Sequence, residues 1–312
     1  MPELLLQSLL FIGTLAGLVK ASDWFVGAAE RIGLSLGIPS FIIGVTVVAA
    51  GTSLPELVSS IVAVRQGVSE IVVGNVVGSN IANICFVLAL IAIMSGKFAI
   101  SFNIRRVDLP MLIGATVLFA LTIMDQVFST TDAVVMCLGM VVFLGYVIKD
   151  SGREADPDGL RVKASWKDYA TVAGAAAGIY FFANYNIQSI VALSGLLGIG
   201  SEIIALTAVS LGTSLPELVV SIVAMRKGSH EIVVGNVIGS NIFNTFAVMG
   251  IPGLIGTLVI PPGIVAFSLP VMLGATLIFA YGTYDREVNR WEGFVLLLLY
   301  AYFILETVSS VL

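Results

Sequence analysis

The chain has 312 residues and a net charge of -5, with 58% hydrophobic and only 11% charged residues. Soluble domains carry roughly a quarter charged residues, and a mean hydropathy of +1.04 leaves too little polar surface to cover a water-soluble fold. We therefore predict an all-α integral membrane protein. Basic residues form no patch outside one connecting segment, so we expect no nucleic-acid partner.

Apolar stretches of the length that crosses a bilayer, about 20 residues, follow one another along the chain between short polar breaks. They predict ten transmembrane helices, at residues 4–30, 38–65, 70–96, 107–124, 129–149, 168–184, 190–226, 231–256, 262–283 and 289–311. The longest polar connector, 150–167, contains Gly and Pro with four acidic and four basic residues. It divides the chain into two five-helix halves, 1–149 and 168–312.

The distribution of Lys and Arg predicts the orientation in the membrane. If the N-terminus faces outward, the inward segments hold thirteen of these residues and the outward segments hold only Arg65. Lys and Arg accumulate on the cytoplasmic side of membrane proteins. We therefore expect a multi-pass protein of the cell membrane with both termini outside and the connector 150–167 in the cytoplasm.

The two halves contain an internal repeat. Residues 40–86 align without a gap with residues 201–247 at an offset of 161, and 31 of the 47 positions are identical. Because each half has an odd number of predicted spans, the second copy should enter the membrane upside down relative to the first. Inverted repeats of this kind are typical of secondary transporters, whose substrate sites lie near the bilayer midplane where the repeats meet.

Each copy carries the sequence Gly-Thr-Ser-Leu-Pro-Glu inside a hydrophobic span, at residues 51–56 and 212–217. Its proline lacks a backbone donor and crowds the residue four positions earlier, and its glycine adds backbone freedom. We therefore predict that both helices break here and leave backbone oxygens free. Such irregular backbone is tolerated at membrane depth only where it lines a cavity or is buried in protein.

The acidic residues of these motifs, Glu56 and Glu217, are the strongest candidates for function. A carboxylate within a membrane span is costly and is functional by default. Two carboxylates surrounded by oxygen donors suit Ca²⁺, which takes about six to eight oxygen ligands, or several Na⁺ ions. No Cys or His lies in the motifs, which disfavours softer metals.

Further oxygen donors lie nearby in both copies. Ser79 and Asn83 are four residues apart and therefore face one way on a helix, and Ser240 and Asn244 repeat that spacing. Hydroxyl groups beside the predicted breaks could also supply oxygens, although such groups often bond to their own backbone. These hydroxyl residues are Thr52, Ser53, Thr213 and Ser214.

With these paired motifs, and with Gly-Asn-Val-Val-Gly-Ser-Asn and Gly-Asn-Val-Ile-Gly-Ser-Asn following them, the sequence resembles the cation/calcium exchanger superfamily, most closely its prokaryotic sodium/calcium exchanger branch. The resemblance implies a secondary antiporter, not an enzyme, that exchanges Na⁺ for Ca²⁺ by alternating access without a cofactor. It implies an ion core made of the second, third, seventh and eighth helices, across which the first and sixth helices slide. We expect the protein to act as a monomer.

The resemblance also implies roles for individual residues. Glu56 and Glu217 would be central ligands shared by calcium and sodium, and the backbone carbonyls of Thr52 and Thr213 would complete the calcium site. The flanking sodium sites would use Ser79, Ser240 and carbonyls near Ala49 and Ser210. The centre would be lined by Asn83 and Asn244, with Ser53 and Ser214 nearby.

Two departures within the superfamily bear on the driving ion. Some members have Asp at the position of Asn244, and the resemblance associates that residue with potassium dependence, so we expect potassium independence. The proton/calcium branch usually shows Gly-Asn-x-x-Glu where this chain has Gly-Thr-Ser-Leu-Pro-Glu, which favours sodium. A proton/calcium exchanger remains the main alternative. A cation channel and an intramembrane aspartyl-type protease are further alternatives, and the symmetric breaks with their Ser, Thr and Asn surround argue against the protease.

Overall fold

The computed structural model describes residues 2–35, 49–99, 108–151, 164–226, 230–283 and 287–309. These residues are almost entirely helical. The helices are α1 Pro2–Ser35, α2 Ala49–Thr52, α3 Leu54–Arg65, α4 Glu70–Ser95, α5 Asp108–Ile123, α6 Thr130–Ser151, α7 Trp166–Leu197, α8 at residues 201–213, α9 Leu215–Arg226, α10 at residues 230–255, α11 Ile264–Gly282 and α12 Arg290–Ser309. The strands are β1 Lys97–Ala99, β2 Val127–Phe128, β3 Leu258–Val259 and β4 Glu287–Asn289.

Seven helical stretches of the described chain are long and apolar enough to cross a membrane. They are α1, α4, α6, the pair α8 and α9, α10, α11 and α12. This confirms the prediction of a helical, multi-pass membrane protein. The first part of the predicted span 38–65, up to residue 48, lies outside the described residues. The count of ten spans therefore stays a prediction.

The predicted boundary between spans 168–184 and 190–226 is wrong. Helix α7 continues without interruption to Leu197, and it ends at Gly198, which has a left-handed φ of 68°. Helix α8 then begins at Ser201. Glycine adopts this conformation without steric cost, which makes it the usual residue just beyond a helix end.

The polar residues around the predicted boundary form hydrogen bonds with neighbouring helices. The Asn186 amide donates to the Phe11 carbonyl at 3.2 Å and to Thr14 Oγ1 at 3.1 Å, both on α1. Just beyond the end of α3, the Gln66 amide donates to Asn184 Oδ1 at 2.9 Å. Asn184 and Asn186 therefore hold α7 against its neighbours and do not interrupt it.

The core of the molecule is formed by α4 and α10. In their most apolar stretches 83% and 89% of the residues are buried, whereas in α1 only 17% are. Both core helices contain a π-helical segment, Asn83–Leu88 in α4 and Asn244–Val248 in α10. Single π-helical turns occur frequently at functional sites, and these two begin at the repeat-equivalent asparagines.

Two short antiparallel ribbons join the helices at their ends. Strand β1 pairs with β4, and β2 pairs with β3. The repeat offset of 161 carries β1 onto β3 and β2 onto β4, so one ribbon corresponds to the other. The predicted topology puts β1 and β4 on the cytoplasmic side and β2 and β3 outside, so the observed pairing agrees with an inverted repeat.

Candidate functional site

Each Gly-Thr-Ser-Leu-Pro-Glu motif interrupts its helix at the serine. Ser53 separates α2 from α3 with φ -89° and ψ 11°, and Ser214 separates α8 from α9 with φ -81° and ψ 3°. The predicted breaks are therefore present, and each is a single residue long. The motif glycines do not make them, because Gly51 and Gly212 lie in helical turns and neither has a positive φ.

The two acidic residues stand at the starts of the second half-helices. Glu56 is the third residue of α3, and Glu217 is the third residue of α9. The first backbone N–H groups of a helix lack partners within it, and the helix dipole favours a negative charge there. Pro55 and Pro216 have no N–H with which to bond the carbonyls four residues earlier, so both breaks present donors to a carboxylate and acceptors to a cation.

Contacts between the copies bring the predicted residues into one buried cluster. The Ser53 hydroxyl donates to Glu217 Oε1 at 3.1 Å, and Thr52 Oγ1 lies 3.4 Å from Ser240 Oγ. Both carboxylates are completely buried and repel one another electrostatically. The first motif therefore meets the second motif and the helix that follows it.

The two halves of the cluster do not have the same hydrogen bonds. Glu217 receives the Ser53 hydroxyl, whereas both carboxylate oxygens of Glu56, and the hydroxyl of Ser214, lack a hydrogen-bond partner within the described ranges. Thr213 lies beside the Glu56 carboxylate, but its hydroxyl donates to the Val209 carbonyl at 3.1 Å. Glu56 is therefore a completely buried carboxylate that has no cationic side chain beside it in the described part of the chain.

Backbone carbonyls near Ala49 and Ser210 were also predicted as ligands, and the Ser210 carbonyl accepts the Ser214 backbone N–H at 3.1 Å. The Ser210 hydroxyl donates to the Leu206 carbonyl at 2.6 Å, within its own helix. Ala49 begins α2, and only its backbone placement is described. The Ser79 hydroxyl, by contrast, donates across one helical turn to Asn75 Oδ1 at 3.5 Å.

Unpartnered polar atoms concentrate at this cluster. In the described part of the chain, twelve buried side-chain nitrogen and oxygen atoms lack a hydrogen-bond partner, and seven of them belong to predicted site residues. Those residues are Glu56, Asn83, Ser214, Glu217 and Asn244. A buried polar atom left unpaired costs about 1–3 kcal/mol. Such a concentration of bare oxygens is what a dehydrated cation would satisfy.

Sequence reasoning missed a pair of asparagines that support the glutamates. The Asn75 amide donates to the Glu56 carbonyl and to Ser60 Oγ, each at 3.4 Å. In the second copy, the Asn236 amide donates to the Glu217 carbonyl and to Ser221 Oγ, each at 3.2 Å. The signal was present, because each asparagine is repeated in both copies and lies one helical turn before a predicted serine ligand.

Broken helices related by a repeat, with half-helix ends facing the substrate, are typical of secondary transporters, and a buried pair of carboxylates at such breaks is suited to binding cations. The chain matches the family described as sodium/calcium exchanger protein over residues 6–149 and 167–308, and it belongs to that family. The protein is therefore a membrane cation exchanger and not an enzyme.

Similar proteins cover almost the whole chain. Sodium/calcium exchanger MaX1 of Methanosarcina acetivorans is 36% identical, covering 92% of this chain and 94% of its own length. Putative antiporter CaxA of Alkalimonas amylolytica is 32% identical over 91% of this chain and 92% of its own. A solved structure of the sodium-calcium exchanger NCX_Mj is 29% identical, superposes with a TM-score of 0.69, and covers 96% of this chain and 98% of its own.

Proposed function

We propose that this protein exchanges Na⁺ for Ca²⁺ across the cell membrane by alternating access, with Glu56 and Glu217 as ligands shared by both ions. The observation that carries the proposal is the cluster of bare, buried oxygens around these two completely buried carboxylates. An uncompensated carboxylate in a low-dielectric interior is strongly unfavourable, so the cluster has to be neutralised by cations during transport.

The donor set supports calcium as the divalent substrate. Carboxylates, amide oxygens, hydroxyls and freed carbonyls are hard oxygen ligands, and Ca²⁺ accepts about six to eight of them in flexible geometry. Mg²⁺ demands an octahedral site and gives up its water reluctantly. A cluster assembled from two half-helices and the side chains of α4 and α10 therefore favours calcium over magnesium.

The two negative charges also explain why transport would be coupled. They can neutralise one Ca²⁺ or a set of Na⁺ ions, but not both loads together. A half-filled site leaves buried charge uncompensated, at a cost of several kcal/mol, and this cost opposes the switch between inward- and outward-facing states. Only a fully loaded site would switch readily, so one ion leaves in exchange for the other.

Sodium is proposed as the driving ion on the strength of the family. MaX1 and NCX_Mj are both named as sodium/calcium exchangers, and the Gly-Thr-Ser-Leu-Pro-Glu motifs depart from the sequence typical of proton/calcium exchangers. Buried carboxylates can also bind protons, and this keeps a proton/calcium exchanger as the alternative function.

The test is uptake of ⁴⁵Ca²⁺ into proteoliposomes that contain purified protein and are preloaded with Na⁺, K⁺ or acid. We expect uptake only when Na⁺ flows outward from the vesicle. Uptake driven by internal acid in sodium-free buffer would change the coupling ion to H⁺, and uptake without any counter-ion gradient would indicate a channel.

The role of the carboxylates is tested in the same vesicles. Glu56→Gln and Glu217→Gln each remove one charge while keeping the size of the side chain, and each should abolish sodium-driven calcium uptake. Glu306→Gln is the matched control, because Glu306 is exposed near the end of α12. Normal calcium flux in either site variant would refute the shared-ligand mechanism.

We also propose that both termini face outward and that the protein acts as a monomer, with the connector 150–167 in the cytoplasm. The pairing of β1 with β4 and of β2 with β3 supports the proposed succession of spans, since it joins loops assigned to the same side, and the distribution of Lys and Arg supports the orientation. Labelling of Ala164→Cys with a membrane-impermeant thiol reagent should occur only after the cytoplasmic side is opened.

A further inference from the structure

A chain of amide hydrogen bonds crosses between the two core helices beside the proposed ion site. The Asn83 amide nitrogen donates to Asn241 Oδ1 at 3.0 Å. The Asn241 amide nitrogen in turn donates to the backbone carbonyl of Asn80 at 3.4 Å. All three side chains are buried, so water does not compete for these bonds.

The donors and acceptors in this series of hydrogen bonds can be arranged in only one way. A backbone carbonyl can accept but cannot donate a hydrogen bond, so the Asn241 amide must turn its nitrogen towards Asn80. The Asn241 oxygen then faces Asn83, so the Asn83 amide must donate its nitrogen to that oxygen. Asn83 Oδ1 is left on the opposite side of the amide and has no hydrogen-bond partner within the described ranges.

The repeat-equivalent asparagine, Asn244, is not held in this way. Both its amide nitrogen and its amide oxygen are buried without a partner among the described residues. Asn80, which is the equivalent of Asn241, donates instead to Thr245 Oγ1 at 3.0 Å. The position equivalent to Thr245 in the first copy is Ile84, which has no hydroxyl.

We propose that Asn241 is a positioning residue that fixes the Asn83 amide with its oxygen presented to Ca²⁺, while Asn244 stays free to turn. This inference rests on the proposed function, because it assumes that the cluster binds a cation. An amide free to rotate presents its NH₂ group to the ion part of the time, and fixing it beforehand removes that cost from binding. The two copies therefore supply one fixed and one adjustable amide ligand.

The experiment compares Asn241→Ala with Asn80→Ala in sodium-driven ⁴⁵Ca²⁺ uptake. Asn241→Ala releases the Asn83 amide, and we expect its KM for Ca²⁺ to rise about tenfold, the equivalent of one lost ligand interaction, with the maximal rate little changed. Asn80→Ala retains the Asn80 backbone carbonyl that orients Asn241, so its KM should stay at the wild-type value. Equal KM values in the two variants would overturn the proposal.

A double-mutant cycle separates positioning from general loss of packing. In an Asn83→Ala background the ligand oxygen is already gone, and Asn241→Ala should raise KM no further. In an Asn244→Ala background it should raise KM by its full factor. Independent, additive effects of Asn241→Ala in both backgrounds would show that it does not act through Asn83.

Loss of folding would not decide the question, so thermal stability is measured for every variant. If Asn241→Ala cannot be purified in folded form, Asn241→Leu, which fills a similar volume without an acceptor, should raise KM in the same way. An unchanged KM in Asn241→Leu would overturn the proposal, whereas absence of sodium-driven uptake by the wild-type protein would overturn the proposed function instead.

Discussion

At the scale of single residues, the candidate site combines two charged ligands with two neutral ones. Glu56 and Glu217 supply the negative charge, and Asn83 and Asn244 can supply oxygens without adding to it. Under the proposed mechanism, one Ca²⁺ would neutralise the site. Because buried charge that is left uncompensated opposes any conformational switch, this neutrality favours movement of the calcium-loaded state.

A third carboxylate would upset that balance. Asn244→Asp should lower the KM for Ca²⁺, since an added negative charge at the site strengthens cation binding. It should also lower the maximal exchange rate several-fold, because the calcium-loaded site would keep one uncompensated negative charge. Uptake kinetics at varied Ca²⁺ in proteoliposomes give both quantities, and a higher maximal rate would contradict the charge-balance argument.

Asn83→Asp provides the contrast to this variant. Asn83 donates its nitrogen to Asn241 Oδ1 at 3.0 Å, so an aspartate there would set two acceptors against each other. We expect Asn83→Asp to be the less stable of the two variants in thermal unfolding. Equal stability would show that the bond to Asn241 contributes little.

Sequence reasoning singled out the charged residues of the candidate site but not the polar network around them. Glu56 and Glu217 were identified because a carboxylate in a membrane span is costly and both copies keep it. Asn75 and Asn236 were missed because the carbonyls they bond, at Glu56 and Glu217, lie on different helices. Hydrogen bonds such as that from Asn83 to Asn241 join different helices, and the spacing of residues along one chain does not reveal them.

At the scale of helices, the motif glycines provide space for α1. A Cβ atom on Gly51 would overlap Val26, and a Cβ atom on Gly212 would overlap Leu15, both on α1. Gly78 on α4 provides space for α8 in the same way, because a Cβ atom there would overlap the Leu206 carbonyl and Ser210. The glycines were expected to loosen the backbone, and the structure shows close helix contact instead.

The two motif glycines should therefore tolerate alanine unequally. Val26 is β-branched and nearly fixed in a helix, whereas the overlap at Gly212 involves the flexible end of Leu15. We expect Gly51→Ala to slow sodium/calcium exchange more than Gly212→Ala, with little change in equilibrium Ca²⁺ binding measured by calorimetry. Adding Val26→Ala should restore the rate of Gly51→Ala.

The control for this prediction is Gly114→Ala on α5, where nothing lies within 4 Å of the added methyl group. It should leave the exchange rate unchanged. If Gly51→Ala instead abolishes calcium binding while its rate cannot be rescued at position 26, the glycine serves the ion site and not the contact with α1.

Helix boundaries show which features the sequence could predict at this scale. The breaks were placed correctly because Pro55 and Pro216 have a local steric effect. The end of α7 was misplaced, because Asn184 and Asn186 look like loop residues until their partners on neighbouring helices are known. The π-helical segments that begin at Asn83 and Asn244 carry no local signal that we recognise.

At the scale of the whole molecule, α1 and α7 form a pair at the edge of a buried core. Along the pair, Asn186 on α7 bonds to α1, and at their other ends Arg31 Nε lies 2.6 Å from Asp168 Oδ1. The Asp168 carboxylate also accepts the Ser165 backbone N–H at 2.8 Å and so caps α7. Composition predicted the membrane fold, but this pairing depends on contacts between residues far apart in sequence.

If α1 and α7 move together across the core, a covalent link within the pair should be harmless and a link to the core should not. A Cβ atom on Gly178 of α7 would lie 3.5 Å from Ala21 Cβ on α1, and one on Gly51 of α2 would lie 3.3 Å from Val26 Cβ on α1. Disulfides need Cβ atoms about 3.5–4.5 Å apart. The Ala21/Gly178 pair lies at the lower limit of this range, and the Val26/Gly51 pair has to separate by a few tenths of an ångström. Both pairs can then be cross-linked once Cys85 and Cys137 are replaced by Ala.

We expect oxidised Ala21→Cys/Gly178→Cys to exchange calcium at the rate of its reduced form, because the bond joins two helices of one moving unit. Oxidised Val26→Cys/Gly51→Cys should lose exchange and regain it on reduction, because the bond ties that unit to the core. The reduced forms are the internal controls, since they carry the same substitutions without the bond. Loss of exchange in both oxidised variants would show that α1 and α7 move relative to each other, and full exchange in both would show that α1 does not slide over the core.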